Sequence, residues 1–438
     1  MKALMLTFLM ALTVLAPDMA VLAQLEINEE IYWAETMLMD AAIRTDAEGI
    51  AQARTRFERL ATNAAAIKNP ALAARVHYQI AFANFQLLYA TYGQRPDSRE
   101  LTDQALAHLD SAAQLQPSLA EAHALSALCS VYLSFLDRAQ AESHRAQVTR
   151  KLEMALAVEP DNPRTYVAYT FGTIFSDGAV SREHARKAIE LYEQQSPRDN
   201  HRLADWWQVT SYYYLSSLNY FLGEPEKMQE PVNKALELRP DFEAVISTQV
   251  PMLAPKTPAN MHRFDSVRWQ LLAEDPAADG RNPELADAKA LRYFYDRKND
   301  SLWFKIDFHR LPDPDAFGVN LMVDVDQNQA TGMNWWGGNN KFTFDKLVTV
   351  WLRKGSDGRY YGPVGISSAE FARRQRLTKL GDRNVRFGMQ AETKSIIFGF
   401  KRTDLDEARK LNIVAAVGSN VTWNDDLVDA GYQTLELK

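Results

Sequence analysis

Residues 324–336, DVDQNQATGMNWW, bring more chemically capable side chains together than any other stretch of this 438-residue chain. Asp324, Asp326 and Asn328 supply oxygens at positions one, three and five, a spacing that lets a tight turn wrap a hard cation such as calcium. Thr331 and Gly332 give the turn, and the adjacent Trp335 and Trp336 follow. The loop is not an EF-hand, because position six is Gln329 rather than glycine and position twelve is Trp335 rather than glutamate. Asp and Asn also make such turns by capping their own backbone, so a purely structural loop stands beside the metal reading.

A strand must present this loop. Val319, Leu321, Val323 and Val325 alternate with other residues just before it, as in a strand buried on one face. Leu302, Phe304, Ile306 and Phe308 alternate likewise with Trp303, Lys305, Asp307 and His309. The same period recurs at 317–325, 342–352, 385–390, 395–401 and 411–417, with short helical inserts expected at 366–376 and 403–410. Six or more short strands separated by Gly, Asn and Asp turns predict an antiparallel β-sandwich or jelly roll over residues 262–438.

Before residue 250 the chain has a different character. Pro117, Pro160, Pro197 and Pro240 lie 43, 37 and 43 residues apart, and each ends a segment of the same register. Twelve, eight and five positions before them stand Ala105, Leu109 and Ala112; Val148, Leu152 and Ala155; Ala185, Ile189 and Tyr192; and Met228, Val232 and Ala235. These positions share one helix face, and the proline stops the helix. A helix pair repeating near every 40 residues buries its apolar face only by stacking on neighbours, which predicts an α-α solenoid over residues 24–248. Residues 249–261, with Pro251, Pro255 and Pro258, read as a Pro-rich linker, so the fold class is multidomain, α then β.

The proline register resembles the second helix and terminal proline of tetratricopeptide repeats over about residues 98–245. The period exceeds that family's, and Tyr132, Phe135, Tyr212 and Leu215 only approximate its first-helix pattern, which leaves another helical solenoid open. The resemblance implies a protein or peptide partner on a concave surface. The aromatic segment carrying Trp206, Trp207 and Tyr213 is the candidate for lining it, against the alternative that aromatics at helical spacing are packing.

Blocks in the second half also resemble the family 9 carbohydrate-binding module and related DOMON-like sandwiches, most closely those at the ends of glucodextranase-type enzymes. These blocks are EDPAADG at 274–280, Asp287, NDSLWFKIDF at 299–308, the Asp-x-Asp loop, and WNDDLVDAGYQTLEL at 423–437. The resemblance implies a sugar-binding sandwich with a structural calcium, for which Asp345, Asp275, Asp279 and Asp287 are further candidate ligands. Sugar rings stack on exposed indoles while amides take their hydroxyls, so Trp335, Trp336 and Asn339 become the candidate carbohydrate platform, with packing as the competing role. Haem is less supported, since nothing pairs His309 with Met322 or Met333 in sequence.

Composition narrows the function classes. A net charge of -7 gives no concentrated basic face for nucleic acid. Cys129 is the only cysteine, which excludes an intramolecular disulfide and CxxC metal sites, and its Ala/Leu-rich surroundings make it a buried small hydrophobe. Met1-Lys2, the apolar run Ala3 to Leu15 and the small-residue spacing at 21–23 read as a cleavable secretory signal, with the mature chain from Gln24 and no transmembrane anchor after cleavage. No HExxH, GxSxG, GxxxxGK[ST] or GxGxxG motif is present. The carboxylate pairs Asp425-Asp426 and Asp404/Asp406 are the residual candidates for acid/base work. The chain therefore reads as a secreted or periplasmic, non-catalytic binding protein. A ligand-free adaptor and a glycan-active hydrolase are the alternatives.

Overall fold

The computed structural model describes residues 19–66, 69–91, 95–174, 176–195, 205–335, 341–369, 385–419, 422–428 and 430–437. The chain forms two compact units, Met1–Tyr89 with Pro96–Ala168, and Ala90–Arg95 with Tyr169–Lys438. The expected signal segment lies largely outside the described residues. No helix among the described residues is long and apolar enough to cross a membrane.

The first unit is helical, built from α1 (Met19–Ile43), α2 (Ala47–Ala66), α3 (Pro70–Ala90), α4 (Ser98–Leu115), α5 (Ala120–Leu136), α6 (Ala141–Val158) and the start of α7 (Pro163–Thr173). Its centre is α5, which is buried along most of its length and carries Cys129 in the core. Burial pushes the Cys129 thiol up to about 12, so it packs as a hydrophobe. The buried serines of α5 are satisfied locally, as Ser126 and Ser130 donate to the carbonyls of Ala122 and Ser126.

The proline register shapes the helix ends. Gln116, Glu159 and Arg239, each just before a proline, hold φ of -142°, -144° and -142° with ψ of 85°, 92° and 91°. Each donates its N–H to the carbonyl of the small residue that closes the register, Ala112, Ala155 or Ala235. The proline ring excludes the α conformation from the preceding residue and offers no N–H, so the helix stops there. Every register residue is buried except Tyr192, which is half-buried. Pro197 lies outside the described residues.

The second unit starts with the remainder of α7, then α8 (Gly178–Gln194), α9 (Trp206–Phe221), α10 (Gln229–Leu238), a π turn at Val245–Gln249 and α11 (Val250–Leu253). Asp177 and Asp205 cap α8 and α9 through their side chains, onto the N–H groups of Ala179 and Val180 and of Gln208. Fourteen strands follow among the described residues: β1 (Gln270–Glu274), β2 (Asp287–Asp296), β3 (Ser301–Arg310), β4 (Ala316–Asp324), β5 (Met333–Asn334), β6 (Thr343–Phe344), β7 (Lys346–Lys354), β8 (Tyr360–Tyr361), β9 (Val364–Ser368), β10 (Arg386–Gln390), β11 (Ser395–Lys401), β12 (Lys410–Ser419), β13 (Thr422–Asp426) and β14 (Gln433–Glu436). One sheet runs β1-β2-β3-β11-β10, and the other runs β13-β12-β4-β7-β8 with β14 on β12 and β9 on β7. All their pairings are antiparallel, and one apolar core takes Leu302, Phe304 and Ile306 from the first sheet and Phe317, Val319 and Leu321 from the second.

Each sheet has a glycine beneath a tryptophan on its outer face. Gly318 pairs with Trp351 and Gly399 with Trp303, and a Cβ on either glycine would lie 2.1 or 2.4 Å from the indole. Trp303 continues into a small outer cluster with Phe264, Met261 and Ile397, with the Arg263 guanidinium 4.7 Å over its ring.

Three connecting segments follow. The Pro-rich residues 249–261 are bonded to the strands. The Lys256 N–H bonds the Tyr360 carbonyl and the Ala259 N–H bonds the Phe387 carbonyl, both at 2.7 Å, while Pro251 and Met261 are buried. The insert expected at 366–376 begins as the end of β9, and 370–376 lie outside the described residues. At 403–410 there is only a 3-10 turn, Arg402–Leu405, before β12.

Candidate functional site

The Asp-x-Asp loop leaves the end of β4 and the chain returns through β5 and β6 to β7. Because Val323 pairs with Lys346, this excursion ends with Asp345 beside Asp324, and the Asp345 N–H bonds the Val323 carbonyl at 2.9 Å. Asp324, Asp326 and Asp345 each bring one carboxylate oxygen to within 4.8 Å of the other two. Oxygens sharing one calcium ion at about 2.3–2.6 Å lie no more than about 5 Å apart, so these residues fit that ion in spacing and donor type. Burial first, then the neighbouring charges of Asp326 and Asp324, push the Asp345 carboxyl above its ordinary range, against bonds from the Val325 and Asp326 N–H groups.

Asn328 serves the turn. Its N–H donates to Asp324 at 3.2 Å and Asp326 at 2.8 Å, and its side-chain oxygen accepts from the Ala330 N–H at 3.1 Å. Gln329, which in sequence only excluded an EF-hand, clamps the loop. It donates to Asp324 at 2.6 Å and to the Thr343 carbonyl, and accepts from the Thr343 N–H at 2.9 Å. Asn412 of β12 adds a 2.9 Å bond to Asp324, a contribution no local spacing announces. Gly332, at φ 78°, closes the turn where a Cβ would lie 2.4 Å from the Phe344 carbonyl.

The lead-in acids do not join this loop. Asp275 and Asp279 form a second group with Asp425, again with oxygens within 4.8 Å, and Asp287 acts on the same carboxyl. Burial, with the charges of Asp279 and Asp287, pushes the Asp425 carboxyl up to about 6, although it accepts a 2.9 Å bond from the Ala288 N–H. The Asp425-Asp426 pair is thereby divided between two tasks, since Asp426 accepts from the Trp335 indole at 3.0 Å.

The aromatic candidates are mostly interior. Trp335 is 1% exposed and belongs to the sandwich core, so it offers no ring face to a sugar. Trp336 and Asn339 lie outside the described residues. Trp206 and Trp207 are 0% and 1% exposed, their rings edge to face at 5.2 Å, so they pack α9 into its unit and offer a partner no surface. Tyr213 is half-buried. It lines a pocket of about 220 Å³ with Ser217, Tyr220, Phe221, Gln249 and Trp351 among its walls.

No protein-family model matches the chain, and no curated protein matches it. Several solved structures are similar. A thermophilic TPR protein of Thermus thermophilus is 16% identical, with 48% of this chain and 93% of that one covered at a TM-score of 0.36. The HusA haemophore of Porphyromonas gingivalis is 18% identical, covering 44% and 90% at 0.34. MamA from Desulfovibrio magneticus RS-1 is 13% identical, covering 43% and 95% at 0.25. At these values the likeness assigns neither family nor function.

Proposed function

We propose that this is an exported, non-catalytic binding protein whose helical repeats engage a protein or peptide and whose β-sandwich is stabilised by calcium at Asp324, Asp326 and Asp345. The observation that carries the calcium part is the convergence of three carboxylate oxygens within 4.8 Å on a loop already fixed by Gln329 and Asn412. The ion would supply neutralising charge where like charges crowd. The resemblance to calcium-bearing, carbohydrate-binding sandwiches supports the same reading.

Thermal unfolding of the full chain tests it. Calcium should raise the transition of the β-containing unit and EDTA should lower it, and an unchanged transition removes the ion from the proposal. The partner surface moves away from α9. Tyr32 and Trp33 of α1 and Phe135 of α5 are large apolar side chains left exposed, Trp33 at 57%, and Trp and Tyr dominate binding hot spots. Capture of a defined partner should fail with Trp33→Ala and Phe135→Ser combined; undiminished capture would place the interface elsewhere. For carbohydrate, Trp336 and Asn339 are the residues to test by retention on polysaccharides, with the ligand-free adaptor as the outcome if none is retained.

A further inference from the structure

We propose, resting on the partner reading above, that the outer face of α1 docks a basic segment of the protein partner, an arginine of which stacks on Trp33 and is held by Glu29 and Glu30. At 57% exposed, Trp33 is the barest large apolar side chain among the described residues, and Tyr32 beside it is 44% exposed. Their rings meet edge to face, with centroids 5.7 Å apart and planes at 72°. Such a contact occupies one face of only one ring, so aromatic surface is left toward solvent. Side chains on a helix lean toward its N-terminus, which carries the Trp33 indole over the turn bearing Glu29 and Glu30, four and three positions earlier.

Charge decides what that face receives. α1 holds Glu26, Glu29, Glu30, Glu35 and Asp40 and no lysine, arginine or histidine. Glu26, Glu29 and Glu30 are exposed, and the carboxylates of Glu29 and Glu30 have no ion-pair partner among the described residues. Arg75 of α3 is spent on Glu35, to which it donates from Nε at 2.6 Å and from a second guanidinium nitrogen. Arg44 lies past the end of α1, roughly 16 Å along the helix axis from Trp33. An apolar partner seated on Trp33 would strip water from the two carboxylates with nothing in return. A guanidinium avoids that loss, because it stacks flat on an indole and meets carboxylates with paired N–H donors. The same carboxylates repel nucleic acid and anionic lipid, which leaves a basic protein segment.

Fluorescence anisotropy of a short labelled peptide of arginine and alanine, titrated with the full chain, tests the assignment beside the same peptide with glutamate in place of arginine. The arginine peptide should bind saturably at one site and the glutamate peptide should not bind. Trp33→Ala should weaken arginine-peptide binding about two- to fivefold, the range of an exposed cation–π contact. Glu29→Gln with Glu30→Gln should weaken it as well and reduce its dependence on salt. Glu142→Gln with Glu153→Gln removes the same charge from exposed positions of α6 and should change nothing. No saturation by the arginine peptide, full binding to Trp33→Ala, or equal loss in the two glutamine pairs overturns the proposal, the last because it shows attraction to net charge alone. A defined partner captured through Trp33 by a chain that ignores the arginine peptide also overturns it, while leaving the partner reading in place.

Discussion

The indole N–H of Trp335 donates to the Asp426 carboxylate at 3.0 Å inside the sandwich, joining the excursion after β4 to β13 at the far end of the chain. Trp335→Phe keeps most of the ring and removes the donor. The variant should lose about 1.5–3 kcal/mol, the usual worth of a hydrogen bond to a charged group, read from the urea midpoint of the β-containing unit. Stability equal to wild type would show that the N–H contributes nothing there.

Two carboxylate groups could answer a calcium titration, and single substitutions separate them. Asp326→Asn should remove the calcium-dependent rise in melting temperature, while Asp279→Asn should leave it intact; both side chains are exposed, so neither change disturbs the core. The reverse pattern would move the ion to Asp275, Asp279 and Asp425.

The ring nitrogens Nδ1 of His77 and His108 lie 2.8 Å apart in the helical unit. Burial lowers both pKa values from 6.5, and the neighbouring His77 lowers that of His108 further. The unfolded chain therefore takes up protons first as pH falls. The pair's contribution to stability is present above pH 6.5 and is lost as pH drops through the range down to the lowered folded values. Urea midpoints from about pH 7.5 to 5.5 should fall, and His108→Gln should flatten the slope; an unchanged slope would assign the pH response to other groups.

Gly318→Ala would place a Cβ 2.1 Å from the Trp351 ring. Overpacking of this kind costs about 1–3 kcal/mol. Trp351→Leu in the same chain should recover part of the loss, as measured by a double-mutant cycle, whereas additive losses would mean the indole was not what the methyl met.

The helical half was legible because its signals are local. A proline fixes the residue before it, and a small residue four positions before that one receives its N–H, so Ala112, Ala155 and Ala235 could be read as buried by counting. Strand positions were legible for the same reason, from a period of two. Asp345 entered as a further candidate ligand only through the resemblance, and its place beside Asp324 follows from the pairing of Val323 with Lys346. Burial of Trp335, Trp206 and Trp207 was not legible, since an aromatic run looks alike whether its far side meets water or another layer. Nor was Asn412 or the Asp275/Asp425 grouping, which depend on pairings made across more than eighty residues.

The glycine and tryptophan pairs on the two outer faces bear on how this β-structure can be transplanted. The residues just before β1 shield Trp303, while α9 and the π turn lie over Trp351. A gene cut at residue 262 would strip the second cover and leave an indole and Pro363 bare on a sheet surface. The inheritable cassette is therefore the strands together with the helices from α9 onward, and a fusion or rearrangement that respects only the helix-to-strand change in the sequence would carry a sticky face with it.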